Sequence, residues 1–170
     1  MHIAVFILGG LVVAVLTILL IGVILPEKHI AAKIYHFDVD PEKVWNLITD
    51  FQGQTNWRPK LERVDRLPSQ NGHEIWREVE GRHRQLSFET IECSPPRVLV
   101  RRIVDEGLPF GGSWTFEIVP ETGGSRLTIT EHGEVHNVVF RFVSRFLIGH
   151  TAGIETYASN LRQALIKRAG

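Results

Sequence analysis

The sequence contains a single cysteine, Cys93, among its 170 residues. One thiol cannot form an internal disulfide, and it cannot build a zinc site whose ligands are mainly cysteines. The chain also lacks an excess of either charge, with 19 Lys and Arg residues against 19 Asp and Glu residues. A balanced chain does not provide the basic surface on which nucleic-acid binding usually depends, so we expect no nucleic-acid partner.

Several short motifs that carry well-known chemistry are missing. The sequence contains no G-x-S-x-G nucleophile motif, no phosphate-binding loop and no G-x-G-x-x-G dinucleotide motif. Its eight histidines show no metal-ligand spacing such as H-E-x-x-H. We therefore expect no cofactor and no metal ion, and hydrolase, nucleotide-binding and dinucleotide-binding functions have no support.

The longest apolar run lies at the start of the chain. Residues 3–25 are 23 residues without a charge. As a helix they would span about 34 Å, enough for a hydrocarbon core of about 30 Å. A cleaved signal peptide would have a basic start, a shorter apolar run and a cleavage site with small residues. Only Met1 and His2 precede this run, so we predict a single-pass transmembrane helix with a short linker in residues 1–27.

Basic residues follow the apolar run but do not precede it. Lys28, Lys33 and Lys43 come soon after it. Because positively charged segments tend to stay on the cytoplasmic side, we expect the rest of the chain in the cytoplasm. Within the run, Gly10 and Ala14 are small residues at a spacing that lets membrane helices approach closely. That pair is compatible with a homodimer.

Residues 28–170 read as one domain of mixed helix and strand. The alternating residues 29–39 predict a strand, after which Asp40 and Pro41 begin a short helix as N-cap and first helical residue. Between residues 61 and 135, Gly, Pro and Asn turn signals separate six further strands. Residues 137–167 contain no proline and predict one long helix. The expected fold is α+β, with about seven antiparallel strands curved around the C-terminal helix.

Two stretches resemble a known family. The segment "DPEKVWNLITDFQGQTNWRPKLERVD" is similar to the opening of SRPBCC domains (START-like, polyketide cyclase/dehydrase), and "LTITEHGEV" before a long helix resembles their closing elements. The resemblance covers about residues 30–168. It implies a helix-grip fold around a hydrophobic cavity. It does not name the ligand, because one fold serves many functions.

Strand and helix parity identifies the side chains that would face such a cavity. Trp114 and Phe116 share one face of their strand, and Glu131 turns inward with the apolar residues of the last strand. A helical stripe brings His150 and Tyr157 to the same side. The predicted ligand-binding residues are Phe37, Phe110, Trp114, Phe116, Ile129, Glu131, Phe146, His150 and Tyr157.

Glu131 and His150 are the polar members of this set and are the catalytic candidates. A carboxylate and an imidazole that face the same apolar space could act as an acid–base pair. Two other readings stay open. Each residue could be an ordinary polar core group with its own partner, or a β-bulge could return Glu131 to solvent.

Either face of the predicted strand at residues 73–80 could point inward. Ile75, Arg77 and Val79 could face inward, or Trp76 could do so with its acidic neighbours. Counting apolar residues favours the first reading. Four arginines that follow this strand are expected to form a solvated surface: Arg82, Arg84, Arg101 and Arg102.

The sequence therefore predicts membrane-tethered binding or transfer of a hydrophobic small molecule or lipid. The alternative is a cyclase, dehydratase or isomerase that acts on an apolar substrate through Glu131 and His150. A third reading is a structural role with a collapsed core and no ligand. The volume of the cavity separates the third reading from the other two.

Overall fold

The computed structural model describes residues 2–82 and 84–169. Helix α1 spans His2–Ile24, strand β1 Lys28–Phe37 and helix α2 Pro41–Thr49, followed by a 3₁₀ turn at Gln52–Asn56. Six strands follow: β2 Arg63–Gln70, β3 His73–Glu80, β4 Arg84–Ser94, β5 Val98–Ile103, β6 Phe110–Glu121 and β7 Gly124–Val135. Helix α3 spans Val138–Val143, a π-helical turn spans Ser144–Ile148 and helix α4 spans Ala152–Ala169.

The seven strands form one antiparallel sheet in the order β1-β7-β6-β5-β4-β3-β2. Strands β2 to β7 are sequential neighbours, because each short connection returns the chain beside the strand it has just left. Strand β1 pairs with β7, from Lys28 opposite Glu134 to Phe37 opposite Ser125. The predicted α+β fold with seven strands and a C-terminal helix is confirmed.

Helix α2 lies where the sequence predicted it. Pro41 is in its first turn, and its fixed φ angle suits that position. Val44, Leu47 and Ile48 are spaced at one helical turn and are all buried. Asp40 is the N-cap residue, but its side chain accepts no capping hydrogen bond from any residue described in the structure. The start of α2 is therefore defined by Pro41 and by burial of its apolar stripe.

Helix α4 covers the concave face of the sheet. Ile154, Ala158 and Leu161 repeat at three to four residues and are buried in the main core. They pack in one cluster with Phe116, Ile118, Leu127 and Ile129 from β6 and β7. Burial of these side chains supplies most of the driving force that holds α4 on the sheet.

The predicted single helix at residues 137–167 is wrong in one respect, because it is broken into α3, the π turn and α4. Gly149, between the π turn and α4, has φ +80°, a left-handed conformation that glycine adopts without strain. The π turn also shifts the helical register, so the predicted inward stripe does not continue through this segment. Phe146, which was predicted to line the cavity, is exposed.

Within the described residues, α1 is the one helix long and apolar enough to cross a membrane. Only 6% of its span Phe6–Ile24 is buried against the rest of the chain. Its last turn contacts α3, where a Cβ at Gly22 would collide with Val138. The linker is held as well, since the Glu27 carbonyl accepts a hydrogen bond from Val135 N at 2.8 Å. The end of α1 therefore lies against the start of α3.

Candidate functional site

A cavity of about 630 Å³ lies between the concave face of the sheet and the helices α3 and α4. This volume is within the range of about 300–1,000 Å³ that is usual for small-molecule sites. Most of its wall is apolar or aromatic, and it includes Leu86, Phe88, Leu99, Ile103, Phe110, Trp114, Phe116, Val135, Phe140, Ile148 and Tyr157. Two groups of polar side chains interrupt this apolar wall. One contains Arg101, which is opposite Trp114 on β5, and the other contains Glu131, which is opposite Trp114 on β7.

The first group, called here the arginine cluster, consists of Arg58, Glu78 and Arg101. Glu78 Oε1 accepts a hydrogen bond from Arg101 Nη1 at 2.6 Å, and Glu78 Oε2 lies 2.8 Å from Arg58 Nη1. Arg58 Nη1 also donates to Gln54 Oε1 at 2.8 Å. Burial alone would raise the pKa of Glu78, but the two guanidinium groups hold that pKa below its usual value. Glu78 is therefore ionised at neutral pH.

Aromatic rings fix the arginines of this cluster. The Cζ atom of Arg101 lies 4.3 Å from the centre of the Phe51 ring and 4.7 Å from the centre of the Phe88 ring. Arg58 lies 5.5 Å from the Tyr157 ring. Such cation–π contacts stabilise a guanidinium that has lost much of its hydration. Burial raises the pKa of Tyr157, so its hydroxyl stays protonated.

Sequence reasoning missed the arginine cluster because it assigned strand β3 the wrong parity. In the structure Trp76 is opposite Phe88 and Glu78 is opposite Leu86, so the even-numbered residues of β3 lie on the cavity side of the sheet, where Glu78 and Glu80 line the cavity. Arg77, predicted to face inward, is on the other side of the sheet. The available signal was the alternation of Leu86 and Phe88 on β4, since residues paired across strands share a face.

The expectation that the four arginines form a solvated surface is wrong for Arg101. It is 7% exposed and lines the cavity, because it shares a face of β5 with Leu99 and Ile103. Arg82 and Arg102 are exposed. Arg84 is exposed as well, although it also borders the cavity and forms an ion pair with Glu80 at 3.2 Å.

The second group, called here the histidine cluster, consists of His29, Glu131 and His150. The rings of His29 and His150 are stacked, with centroids 3.8 Å apart. His29 Nε2 lies 3.9 Å from Glu131 Oε1. Gly133 makes room for this arrangement, since a Cβ there would collide with the His29 ring. His29 was not predicted, although it shares the face of β1 that carries Tyr35 and Phe37.

The protonation of the histidine cluster follows from its burial. Burial lowers the pKa of His29, and the neighbouring His150 lowers it further. Burial also lowers the pKa of His150, with a smaller contribution from Arg145. Burial raises the pKa of Glu131, opposed in part by a hydrogen bond from the Trp114 indole. At neutral pH the two imidazoles are neutral, and Glu131 binds a proton more readily than an exposed glutamate.

Of the nine predicted ligand-binding residues, six line the cavity: Phe110, Trp114, Phe116, Glu131, His150 and Tyr157. Glu131 and His150 are thus in one cluster, where His29 contacts both. Tyr157 lies among aromatic side chains, 5.3 Å from both the Trp57 and Phe116 ring centres.

The other three predicted residues lie elsewhere. Phe37 is buried in the main core with the Arg162 guanidinium 4.9 Å from its ring. Ile129 is fully buried in the core beneath α4. Phe146 is 58% exposed and packs on Phe142 at 5.0 Å, because the π turn rotates it away from the sheet. Among residues 2–82 and 84–169, no group of three His, Cys, Asp or Glu side chains is placed to hold a metal ion.

The curved sheet, the covering helix and the cavity between them define a helix-grip fold, a type of fold that can bind hydrophobic ligands. The chain belongs to the family described as polyketide cyclase / dehydrase and lipid transport, which matches residues 29–165. The predicted resemblance to polyketide cyclase/dehydrase domains is confirmed. No curated protein matches the sequence of the chain.

Solved structures share the fold at low sequence identity. A norcoclaurine synthase from Thalictrum flavum is 10% identical with a TM-score of 0.66, over 84% of this chain and 97% of that chain. The Zhui aromatase/cyclase from Streptomyces sp. R1128 is 13% identical with a TM-score of 0.64, over 84% of this chain and 96% of that chain. At these identities the similarity shows the fold alone.

Proposed function

We propose that this protein binds and transfers a hydrophobic small molecule or lipid in its cavity while α1 anchors it to a membrane. The observation that carries the proposal is the cavity of about 630 Å³ with a mainly apolar and aromatic wall. A collapsed core would not leave a space of this size, so the cavity argues against a purely structural role. Open apolar space is stabilised when a hydrophobic ligand fills it.

The surface around α3 supports uptake from a membrane. Phe140, Ser144 and Ile148 line the cavity, and the adjoining Phe146 and Leu147 are 58% and 73% exposed. Phe110, at the start of β6, is at the same place, since its ring lies 5.8 Å from the Phe140 ring. Large exposed apolar side chains beside a cavity are typical of a surface that contacts lipid.

The position of α1 supports the same proposal. Its last turn packs on Val138 at the start of α3. The linker that follows α1 contacts α3 as well, because Glu27 Oε1 lies 3.2 Å from Arg141 Nη2. A membrane that contained α1 would therefore meet the protein next to the exposed residues of α3 and the π turn. A ligand would then pass between bilayer and cavity over a short path.

This function assigns different roles to the N-terminal helix and to the rest of the chain. Residues 1–27 would be the membrane anchor, and residues 28–170 would be the binding domain on the cytoplasmic side. The lysines that follow α1 support that orientation. Gly10 lies on an open face of α1, with none of the described residues within 4 Å of a Cβ placed there. That open face is available to a second copy, so the homodimer stays a prediction.

The proposal can be tested by native mass spectrometry of the full chain released from mild detergent, which should reveal a co-purified apolar molecule. Gly153 on α4 lines the cavity, and a Cβ there would approach Trp114 at 3.4 Å. Gly153→Leu should narrow the cavity beside Trp114 and lower the fraction of the protein that carries the added mass. Ser159→Leu puts the same side chain on an exposed position of α4 and should retain it. Equal loss of the ligand in both variants, or no bound mass in the native protein, would contradict the proposal.

A second candidate function is acid–base catalysis on an apolar substrate. The observation that favours it is a carboxyl with a raised pKa, Glu131, 3.9 Å from the neutral imidazole of His29. A pair of this kind can move a proton at neutral pH. If the protein is an enzyme, the molecule identified by mass spectrometry should change its mass or its proton NMR spectrum on incubation with the native protein and stay unchanged with Glu131→Gln. If both proteins return it unchanged, the carrier function stands alone.

A further inference from the structure

Glu131 is a carboxylate in the cavity wall without a cationic partner among the described residues. It lines the cavity and its side chain is 24% exposed, so a ligand in the cavity can reach it. In the described part of the chain, the one basic side chain at ion-pair distance is His29, which is neutral at neutral pH. Burial raises the pKa of Glu131, because a carboxylate taken out of water without a counter-ion costs free energy. A ligand with a positive charge would remove that cost.

The other charged side chains around the cavity do not neutralise Glu131. Lys28 forms an ion pair with Glu134 at 3.2 Å. Arg145 is exposed, and it lowers the pKa of His150 but has no part in the shifted pKa of Glu131. The arginines of the arginine cluster bind carboxylates of β3 instead. A counter-ion for Glu131 would therefore have to come from the ligand.

The gap between His29 and Glu131 has room for one donor atom. His29 Nε2 and Glu131 Oε1 are 3.9 Å apart, which is too long for a direct hydrogen bond. A donor nitrogen about 2.9 Å from each atom would fit between them. When Nδ1 of a neutral imidazole carries the proton, Nε2 is an acceptor, and a primary ammonium group has three N–H donors and no acceptor. The stacked His150 ring supplies a second neutral imidazole to the same cluster.

The surroundings of the histidine cluster hold the carboxylate in place and are otherwise apolar. The Trp114 indole donates a hydrogen bond to Glu131, which leaves most of the acceptor capacity of the carboxylate free. Phe110, Phe140 and Ile148 line the cavity as well. We propose that the histidine cluster binds the ammonium group of an amphipathic amine, with Glu131 as counter-ion and the hydrocarbon body of the amine in the apolar part of the cavity. This inference rests on the proposed binding function and names the chemical class of the ligand.

The test compares an amine with the alcohol of the same chain length. The full chain in phosphatidylcholine nanodiscs is loaded with N-phenyl-1-naphthylamine, an uncharged fluorescent probe, and the signal from nanodiscs without protein is subtracted. Decylamine, which is protonated at neutral pH, and decanol then compete with the probe. We expect the potency of decylamine relative to decanol to be about tenfold higher for the native protein than for Glu131→Gln, because hydrogen bonds between charged groups are stronger than neutral ones.

Glu134→Gln is the matched control. It makes the same substitution on the same strand and in the same cavity wall, but the carboxylate that it removes already pairs with Lys28. This variant should therefore keep the relative potency of the native protein. Because all three proteins are measured in the same bilayer, partition of each ligand into lipid cancels between them.

The outcomes separate this inference from the proposed function. The same relative potency in the native protein and in a folded Glu131→Gln overturns the ammonium site, and so does an equal fall in Glu134→Gln. If Glu131→Gln does not fold, NMR of the native protein with decylamine decides the question. Nuclear Overhauser contacts between the methylene next to the amine and the Trp114 indole support the site, and their absence overturns it. Failure of the probe to bind refutes the proposed cavity function instead.

Discussion

Replacement of Glu78 by glutamine should cost more stability than any other single change of an acidic side chain on β3. Glu78 Oε1 and Oε2 lie 2.6 and 2.8 Å from nitrogens of Arg101 and Arg58. Glutamine has nearly the same shape but no charge. Glu78→Gln would therefore leave two guanidinium groups in the cavity wall without their shared carboxylate.

The size of the expected loss of stability follows from the burial of the Glu78–Arg101 ion pair. The Glu78 and Arg101 side chains are only 7% and 8% exposed. Loss of one partner from a buried pair typically destabilises a protein by about 3–5 kcal/mol. The matched control is Glu74→Gln on the same strand, because Glu74 pairs with Arg66 and both side chains are about half exposed. An exposed pair contributes about 0–1 kcal/mol.

Thermal unfolding of the full chain in dodecyl maltoside, followed by tryptophan fluorescence, measures the difference. A loss of 3–5 kcal/mol corresponds to a fall in Tm of about 6–20 °C for a domain of this size, whereas Glu74→Gln should lower Tm by about 4 °C at most. A Glu78→Gln protein as stable as Glu74→Gln would show that water reaches the arginine cluster, and the reasoning would fail.

The pH dependence gives a second check on Glu78. Because the arginines hold its pKa below the ordinary value of 4.5, its stabilising contribution is present above that value. The contribution is lost as the pH falls through the lower pKa of the folded protein. The gap in Tm between the native protein and Glu78→Gln should therefore be full at pH 7 and should shrink below about pH 4.5.

Two further predictions concern the other side of the cavity and its rim. Glu131 has a raised pKa, so its stabilising contribution is present below pH 4.5 and is lost as the pH rises through the folded pKa. Glu131→Gln should therefore melt at a higher temperature than the native protein at pH 8 and at the same temperature at pH 4, and a variant that is less stable at pH 8 would contradict this. Leu147→Asp should slow transfer of a fluorescent lipid between vesicles about tenfold or more, since it removes about 1.5–3 kcal/mol of apolar contact with lipid. It should leave Tm nearly unchanged, and Ile166→Asp, at a position of similar exposure on α4, should affect neither quantity.

Local signals in the sequence were sufficient for the order of the elements. Pro41 at the start of α2 and the glycine-rich turns between strands act within a few residues, so they can be read without knowledge of the fold. The alternation on β6 was equally clear, because Trp114 and Phe116 have polar neighbours. Both residues line the cavity. These features depend on the nearest neighbours along the chain.

The orientation of strand β3 could not be predicted from nearest neighbours along the chain. "HEIWREVE" has apolar residues at both parities, so counting favoured Ile75 and Val79 over Trp76. Only the pairing of β3 with β4 decides which set faces the cavity, and it selects the face that carries Glu78. A buried carboxylate looks unfavourable in isolation. It becomes favourable through Arg58 and Arg101, which lie 20 and 23 residues away in the sequence.

The sequence by itself thus determined the α+β order of elements, the family and the apolar helix at the start, since each follows from composition and short-range pattern. The tertiary structure alone decided which polar groups meet in the cavity. His29 reaches Glu131 because β1 pairs with β7, more than a hundred residues later. Phe146 leaves the cavity because a π turn and Gly149 interrupt the C-terminal helix. Strand pairing over such distances and a shift of helical register depend on how the whole core packs, which no local pattern encodes.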